Sequence, residues 1–168
     1  MFYRGVLFFL LFSFLIGCSG VAPLLSKSEH PIAIALFENA TEEPLLALHV
    51  TSTLKDVFIR RGILIVSDAR AASNVLSGKI NKFEQVFLSL NTNGQASESR
   101  VTVGMEYIVS RGATPSQPQS INASADYLNN SDPSQDRTAK DRAIREASFR
   151  LAEKVADEIE AVSLLAAS

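Results

Sequence analysis

The chain has 168 residues, of which 46 % are hydrophobic, and a formal net charge of −2 at pH 7. This length favours one domain, and the charge balance excludes a strongly basic nucleic-acid binder or a highly acidic tail. A single cysteine excludes an internal disulfide and a cysteine-rich zinc site.

The first 17 residues have the layout of a signal peptide. A short basic start precedes the apolar run Val6 to Ile16, which is shorter than the ~20 residues of a membrane-spanning helix. The run leads into Leu15-Ile16-Gly17-Cys18, which resembles the bacterial lipobox, where the cysteine is acylated and becomes the mature N-terminus. An uncleaved anchor or a plain secretory signal with a chance cysteine is the alternative.

The lipobox interpretation predicts cleavage after residue 17, lipidation of Cys18 and a polar tether over residues 18–30. Stable anchoring needs more than one acyl chain, which a triacylated cysteine supplies. Ser19 follows the cysteine, whereas an aspartate there tends to retain enterobacterial lipoproteins in the inner membrane. We therefore expect a lipid-anchored protein on the periplasmic face of the outer membrane.

A strand and a helix are predicted next. Residues Ile32 to Phe37 are mostly apolar and predict a short buried strand, and the residues after them predict a turn. A helix is expected over Pro44 to Arg61, ended by Gly62, because an apolar stripe has helical spacing. The stripe consists of Leu46, Val50, Leu54, Val57 and Phe58.

Extended structure resumes at residues 63–66 and continues in a long strand from Asn74 to Leu90. Leu76, Gly78 and Ile80 share one phase of the strand with Val86, Leu88 and Leu90. Phe83 and Phe87 fall on the opposite face. Either a bulge near Asn81-Lys82 or a partner on the second face would account for this pattern.

The Asn-Gly pair at residues 93–94 predicts a hairpin. The next strand, from Arg100 to Val109, alternates apolar and polar residues and predicts a half-buried antiparallel strand. The alternation continues from Ile121 to Tyr127, which predicts a third strand beside it.

The C-terminal helix is predicted over Pro133 to Leu164, with Asp132 as its N-cap. Its apolar stripe consists of Ile144, Ala147, Leu151, Val155, Ile159 and Val162. The order of elements predicts an α+β fold in a single domain over residues 31–168. We expect a two-layer sandwich, with two helices packed on one face of a four-stranded, mostly antiparallel sheet.

The sequence contains no recognisable catalytic motif. It has no Gly-rich phosphate loop and no G-x-S-x-G elbow, and its two histidines stand apart from one another. We therefore expect a protein that is not an enzyme and needs no cofactor or metal.

Binding is the class of function that the hairpin region favours. Lys79, Lys82 and Arg100 place cationic groups near Phe83 and Phe87, which together could bind an anionic amphiphile through its phosphates and acyl chains. The alternative is that these charges solubilise an exposed strand face or protect a sheet edge.

The stretch "VFLSL", residues 86–90, is apolar on both faces and adjoins a polar turn. Exposed apolar patches of this kind often bind a partner, and Phe83, Phe87 and Leu88 are the candidate contact residues. Core packing at a bend of the sheet is the alternative.

Four stretches together resemble the lipopolysaccharide-assembly lipoprotein family, LptE-like. In chain order they are "IAIALFENATEEP", "FIRRGILIVSDARAASNVLSGKI", "SRVTVGMEYIV" and "DRAIREASFRLAEKVADEIE". The F-E-N-x-T turn before a helix and the S-G-x-I segment are the most specific parts.

This resemblance implies two helices on a four-stranded sheet and an outer-membrane lipoprotein that plugs a large LptD-type β-barrel. Such a protein helps the barrel assemble and helps deliver lipopolysaccharide to the outer leaflet. The resemblance also implies lipopolysaccharide contacts by basic residues near a strand and loop, for which Lys79, Lys82 and Arg100 are the candidates by position.

The opening strand, turn and helix also resemble CsgG-like secretion lipoproteins and lipoprotein activators of peptidoglycan synthesis. Those relatives usually continue with further βα units, whereas this sequence continues with a long hairpin and one helix. A structural envelope lipoprotein without a ligand is a third alternative.

Overall fold

The computed structural model describes residues 31–112 and 114–166, with side chains described up to residue 161. The predicted signal peptide, the lipidation site Cys18 and the tether lie outside the described residues. The elements, in chain order, are β1 (Ile32–Ile34), β2 (Glu38–Asn39), α1 (Leu46–Arg60), a 3₁₀ helix (Ala69–Ala71), β3 (Asn74–Leu90), β4 (Ala96–Arg111), β5 (Thr114–Pro115), β6 (Gln119–Leu128) and α2 (Pro133–Ala166).

The strands form one mixed sheet. β3 and β4 make a long antiparallel hairpin, β6 and the short β5 pair antiparallel with β4, and β1 and β2 pair parallel with the first half of β3. The described residues thus form six strands where four were expected. The first predicted strand ends early, at Ile34, and β2 lies in what was predicted as a turn. The predicted extended segment at residues 63–66 forms only the bridge between Ile65 and Ile32.

Both helices pack on one face of this sheet, so the predicted α+β sandwich is confirmed. The side chains of Leu54 and Leu151, from the stripes of α1 and α2, are fully buried in the same core as Val103 and Met105 of β4. The predicted N-cap is also confirmed, because the Asp132 carboxylate accepts hydrogen bonds from the first main-chain amides of α2.

A bulge interrupts β3 where the sequence allowed for one. The register shifts between Ile80 and Lys82, so that Phe83 faces Val103 and Val86 faces Arg100. Because residues opposite each other in an antiparallel pair share a face, Phe83 turns toward the helices and Val86 turns away from them. The bulge therefore reverses the alternation that simple counting from Leu76 predicts.

The F-E-N-x-T turn connects β2 to α1 through side-chain hydrogen bonds. The amide of Phe37 donates to the Thr51 hydroxyl of α1, at 3.2 Å. The Asn39 side chain accepts from the amide of Thr41, at 3.1 Å, and donates to the carbonyl of Glu43, at 2.9 Å. The turn thus fixes how the chain passes from the sheet edge to the helix layer.

The S-G-x-I segment lies directly against that turn. Phe37 is only 2 % exposed. A Cβ atom on Gly78 would lie 2.6 Å from its ring and 2.9 Å from the Cα of Tyr107, and it would overlap the carbonyl oxygen of Glu106. Only glycine leaves room there for the ring and the neighbouring strand.

An ion-pair cluster joins the end of α1 to α2. Arg61 pairs with Glu153, with Asp157 at 2.5 Å and with Glu160 at 3.7 Å. Its side chain is 24 % exposed, so the pairs are partly shielded from water.

Tyr107 links β4 to α2 and should make the fold sensitive to alkali. The hydroxyl of this buried tyrosine donates to the Glu158 carboxylate, and burial together with that bond raises its pKa above the ordinary value of 10.0. Above pH 10 the unfolded chain releases a proton that the folded protein still holds, so the free energy of unfolding falls with pH. The slope is about 1.4 kcal/mol per pH unit until the folded-state pKa is passed.

We expect Tyr107→Phe to flatten this alkaline loss, measured by urea unfolding between neutral pH and pH 12. Tyr127→Phe is the matched control, because the Tyr127 hydroxyl accepts a hydrogen bond from the Gln85 side-chain amide, whereas the Tyr107 hydroxyl donates one to a carboxylate. An equally steep loss in Tyr107→Phe and the parent protein would rule out this role for Tyr107.

Candidate functional site

The sheet has one covered and one open face. We call the side opposite the helices the open face. Alternation along β4 places Arg100, Thr102 and Glu106 there, because Val101, Val103 and Met105 point into the core. The remaining open-face residues of the adjoining strands include Lys79, Lys82, Glu84, Asn122, Ser124 and Asp126.

All three basic residues predicted from the sequence lie on the open face, and each has an acidic partner. The Lys79 ammonium is 3.4 Å from the Glu38 carboxylate, and that of Lys82 is 3.0 Å from the carboxylate of Glu84. Both lysine side chains are about half exposed, at 49 % and 51 %. Such pairs contribute little to stability, so the ammonium groups remain available to a stronger anion.

The third residue, Arg100, forms the tightest of these pairs. Its Nε and Nη2 donate to the two carboxylate oxygens of Asp126 on β6, at 2.6 and 2.8 Å. This two-point contact lowers the pKa of Asp126 below its ordinary value. Asp126 was not predicted as a partner, because the register between β4 and β6 depends on a loop whose length does not determine it.

The lysines sit at the bulge. Gly104 of β4 lies under Lys82, since a Cβ on this glycine would be 2.9 Å from the Cβ of Lys82. Lys79 precedes the bulge and faces Glu106. Arg100 is four residues from Gly104, which is about 13 Å along a strand. The structure therefore brings the two lysines together and holds Arg100 apart, closer to the hairpin turn.

The end of the β3–β4 hairpin carries exposed apolar residues. We call residues 86–98 the distal hairpin; its turn is closed by Gly94, whose φ of +74° suits the predicted Asn-Gly turn. Phe87 and Leu90 are 63 % and 64 % exposed, and Val86 and Leu88 are 44 % and 40 % exposed. Val86 faces Arg100 on the open face and Phe87 faces Ser99 on the helix side, so these exposed side chains form a contact surface that covers both faces of the distal hairpin.

Of the three predicted contact residues, two are on this surface and one is not. Phe87 and Leu88 belong to the exposed set, whereas Phe83 is half-buried against the core. The ammonium of Lys140, from α2, lies 5.2 Å from the centre of the Phe83 ring. Because the bulge turns Phe83 toward the helices, its ring completes the rim of the core.

A cleft with a mixed polar and apolar lining lies between α1 and α2. It has a volume of about 340 Å³ and is lined in part by Leu45, His49, Asp141 and Arg145. His49 is exposed at this cleft. Within the described ranges no group of three or more His, Cys, Asp or Glu side chains is placed to bind a metal ion.

Among the residues that the structure covers, no helix has the length and apolar character needed to cross a membrane.

A sequence model described as LptE, Lipopolysaccharide-assembly, matches residues 30–160 of this chain. No curated protein matches the sequence significantly.

Solved structures share the fold at low sequence identity. Rare lipoprotein B from Shewanella oneidensis is 17 % identical with a TM-score of 0.59, over 82 % of this chain and 99 % of that one. Lipoprotein B from Nitrosomonas europaea is 12 % identical with a TM-score of 0.57, over 80 % and 84 % of the two chains. A minor lipoprotein from Acinetobacter baumannii is 12 % identical with a TM-score of 0.54, over 81 % and 94 %.

Proposed function

Since this chain belongs to the LptE family, which acts in lipopolysaccharide assembly, we propose that it is a non-enzymatic plug of an LptD-type outer-membrane β-barrel. In this role it helps the barrel to assemble and assists delivery of lipopolysaccharide to the outer leaflet. The match of the family model over residues 30–160 carries the proposal. The long hairpin and single final helix, in place of further βα units, count against CsgG-like and peptidoglycan-activator roles.

The anchor of the proposed plug is the acylated Cys18. β1 starts beside Asn74, at one end of the sheet, and the turn of the distal hairpin lies beyond Leu90, at the other. Sixteen residues of strand separate these ends, which is about 50 Å. With the tether at the first end, the distal hairpin can contact the barrel far from the point of anchoring.

The basic residues of the open face are the proposed lipopolysaccharide contacts. Phosphate groups compete well with carboxylates for guanidinium and ammonium groups, because they carry more charge and more acceptor oxygens. Lys79, Lys82 and Arg100 already hold carboxylates, so a phosphate would replace an existing anion rather than neutralise an isolated charge. The exposed Phe87 and Leu88 are the proposed contacts with the barrel.

Affinity purification from detergent-solubilised envelopes tests the proposal. We expect a large β-barrel to co-purify in a 1:1 ratio with the tagged chain, and depletion of the chain to lower surface lipopolysaccharide. Cys18→Ala should remove the protein from the outer-membrane fraction and reduce the amount of barrel captured, because the lipid anchor is lost.

A Cys18→Ala variant that is still found in the outer-membrane fraction at the parent level would contradict the lipidation of this residue. Unchanged surface lipopolysaccharide after depletion, with an intact barrel, would contradict the role in delivery.

A further inference from the structure

Among the described residues, the first half of β3 has a neighbouring strand on each side, whereas the second half has one on a single side. β1 and β2 pair with β3 up to Ile80. From Lys82 to Leu90, β3 pairs with β4 alone among the described residues. This unpaired side of residues 82–90, which we call the free edge, is about 30 Å long.

Hydrogen bonds at the other edge of the sheet, on β6, show in which direction the N–H and C=O groups of each residue point. On β6, the carbonyls of Asn122 and Ser124 accept hydrogen bonds from the side chains of Lys154 and Arg150, at 2.8 and 2.9 Å. These carbonyls therefore point away from β4. Thr102, which faces Ser124 in register, must likewise point its main-chain groups away from β6 and toward β3.

The same alternation identifies the groups at the free edge. Thr102 faces Glu84, so Glu84 uses its main-chain groups to pair with β4. The alternate residues Phe83, Gln85 and Phe87 then direct their N–H and C=O groups to the free edge. No described group is hydrogen-bonded to them there.

The two edges of the sheet differ in whether side chains cover their main-chain groups. Arg150 and Lys154 cover the carbonyls of β6, which protects that edge against pairing with another chain. The free edge has no such cover among the residues described, contains no proline, and adjoins exposed apolar side chains at Phe87, Leu88 and Leu90. It is a template for one more strand.

We propose that the free edge binds an extended segment of the barrel protein by main-chain pairing, as an added strand that continues the ladder of β1 and β2. The identity of the partner rests on the proposed function; the mode of binding rests on the edge itself. Lys82 and Glu84 compensate one another at 3.0 Å, and the rest of the edge is uncharged. The added strand therefore needs no net charge, and Phe83 and Phe87 on one face and Val86 on the other favour apolar side chains in it.

A matched pair of variants at Gln85 separates main-chain pairing from side-chain contact. Gln85→Pro and Gln85→Ala both lose the side-chain hydrogen bond to Tyr127, but only proline loses the outward N–H. We expect capture of the barrel from solubilised envelopes to fall at least ~10-fold with Gln85→Pro and to stay near the parent level with Gln85→Ala. Circular dichroism and thermal unfolding establish that both variants are folded.

If both variants capture the barrel equally well, strand addition is overturned while the plug role stands. If both variants lose capture equally, strand addition is overturned as well, because the loss then comes from the side chain of Gln85. If the parent protein itself captures no barrel, the proposed function fails, and the barrel as partner fails with it.

Amide hydrogen exchange of the parent protein is an independent test of strand addition at the free edge. We expect the amides of Phe83, Gln85 and Phe87 to exchange fast in the isolated full-length chain and to be protected in the barrel complex. Protection in the isolated chain would overturn the proposal: if it depends on protein concentration, a second copy occupies the edge, and if it does not, residues 18–30 of the same chain do.

Discussion

Gly78→Ala should destabilise the fold by about 3 kcal/mol, a large part of the stability of a domain of this size. The added methyl group would overlap the carbonyl oxygen of Glu106 and lie 2.6 Å from the ring of Phe37. Carbon atoms in contact prefer separations near ~3.5–4.0 Å, so β3 and β4 or the buried ring must move. Urea unfolding followed by circular dichroism measures the loss.

Two further variants test the cause. Ser77→Ala, one position earlier on β3, should change stability by less than ~0.5 kcal/mol, because this residue faces Ile108 on the open face. Trimming the ring with Phe37→Leu should not rescue Gly78→Ala, because the Glu106 carbonyl still stands in the way. A Gly78→Ala protein as stable as its parent would show that β3 and β4 can separate at little cost.

The contact between Gly78 and the ring of Phe37 gives the two most specific motifs of the chain a structural role. F-E-N-x-T supplies the ring, the amide bonded to Thr51 and the asparagine that closes the turn, whereas S-G-x-I supplies the glycine beneath the ring. Both motifs therefore maintain the joint between sheet and helix layer. They identify the fold and the family, and the ligand surfaces have to be sought elsewhere, on the open face and the distal hairpin.

The elements that sequence predicted well are those set by local chemistry. The helical stripes, the Asp132 cap and the Asn-Gly turn each depend on residues within a few positions of one another. The extent of β3, from Asn74 to Leu90, was also predicted, because its strand-forming residues are bounded by polar turns on both sides.

The features that the sequence did not predict depend on how distant strands align in the folded protein. β2 has two residues and is a strand only because the edge of β3 is beside it. The acidic partners Glu38 and Asp126 lie 41 and 26 positions from Lys79 and Arg100, respectively, so no local pattern connects them. The free edge is likewise a property of the sheet, since it exists where β1 and β2 stop at Ile80 and not where any sequence signal occurs.

Phe58→Ala should destabilise the protein by about 4 kcal/mol. Phe58 belongs to the stripe that predicted α1, and its ring is fully buried at the end of the helix. Removing it leaves a cavity between α1 and the sheet as well as losing the transfer free energy of the ring. Its main-chain carbonyl still accepts from the amide of Ile63, at 2.9 Å, so the effect reports on packing alone.

Ile59→Ala is the matched control at the next position of the same helix. Ile59 is 63 % exposed, so its loss should cost no more than ~0.5 kcal/mol, and alanine's higher helix propensity offsets part of it. The difference between the two variants, measured as free energies of unfolding in urea, reports which side of α1 faces the sheet. Similar losses for both would mean that the helix is rotated from the orientation described, and the core would have to be assigned again.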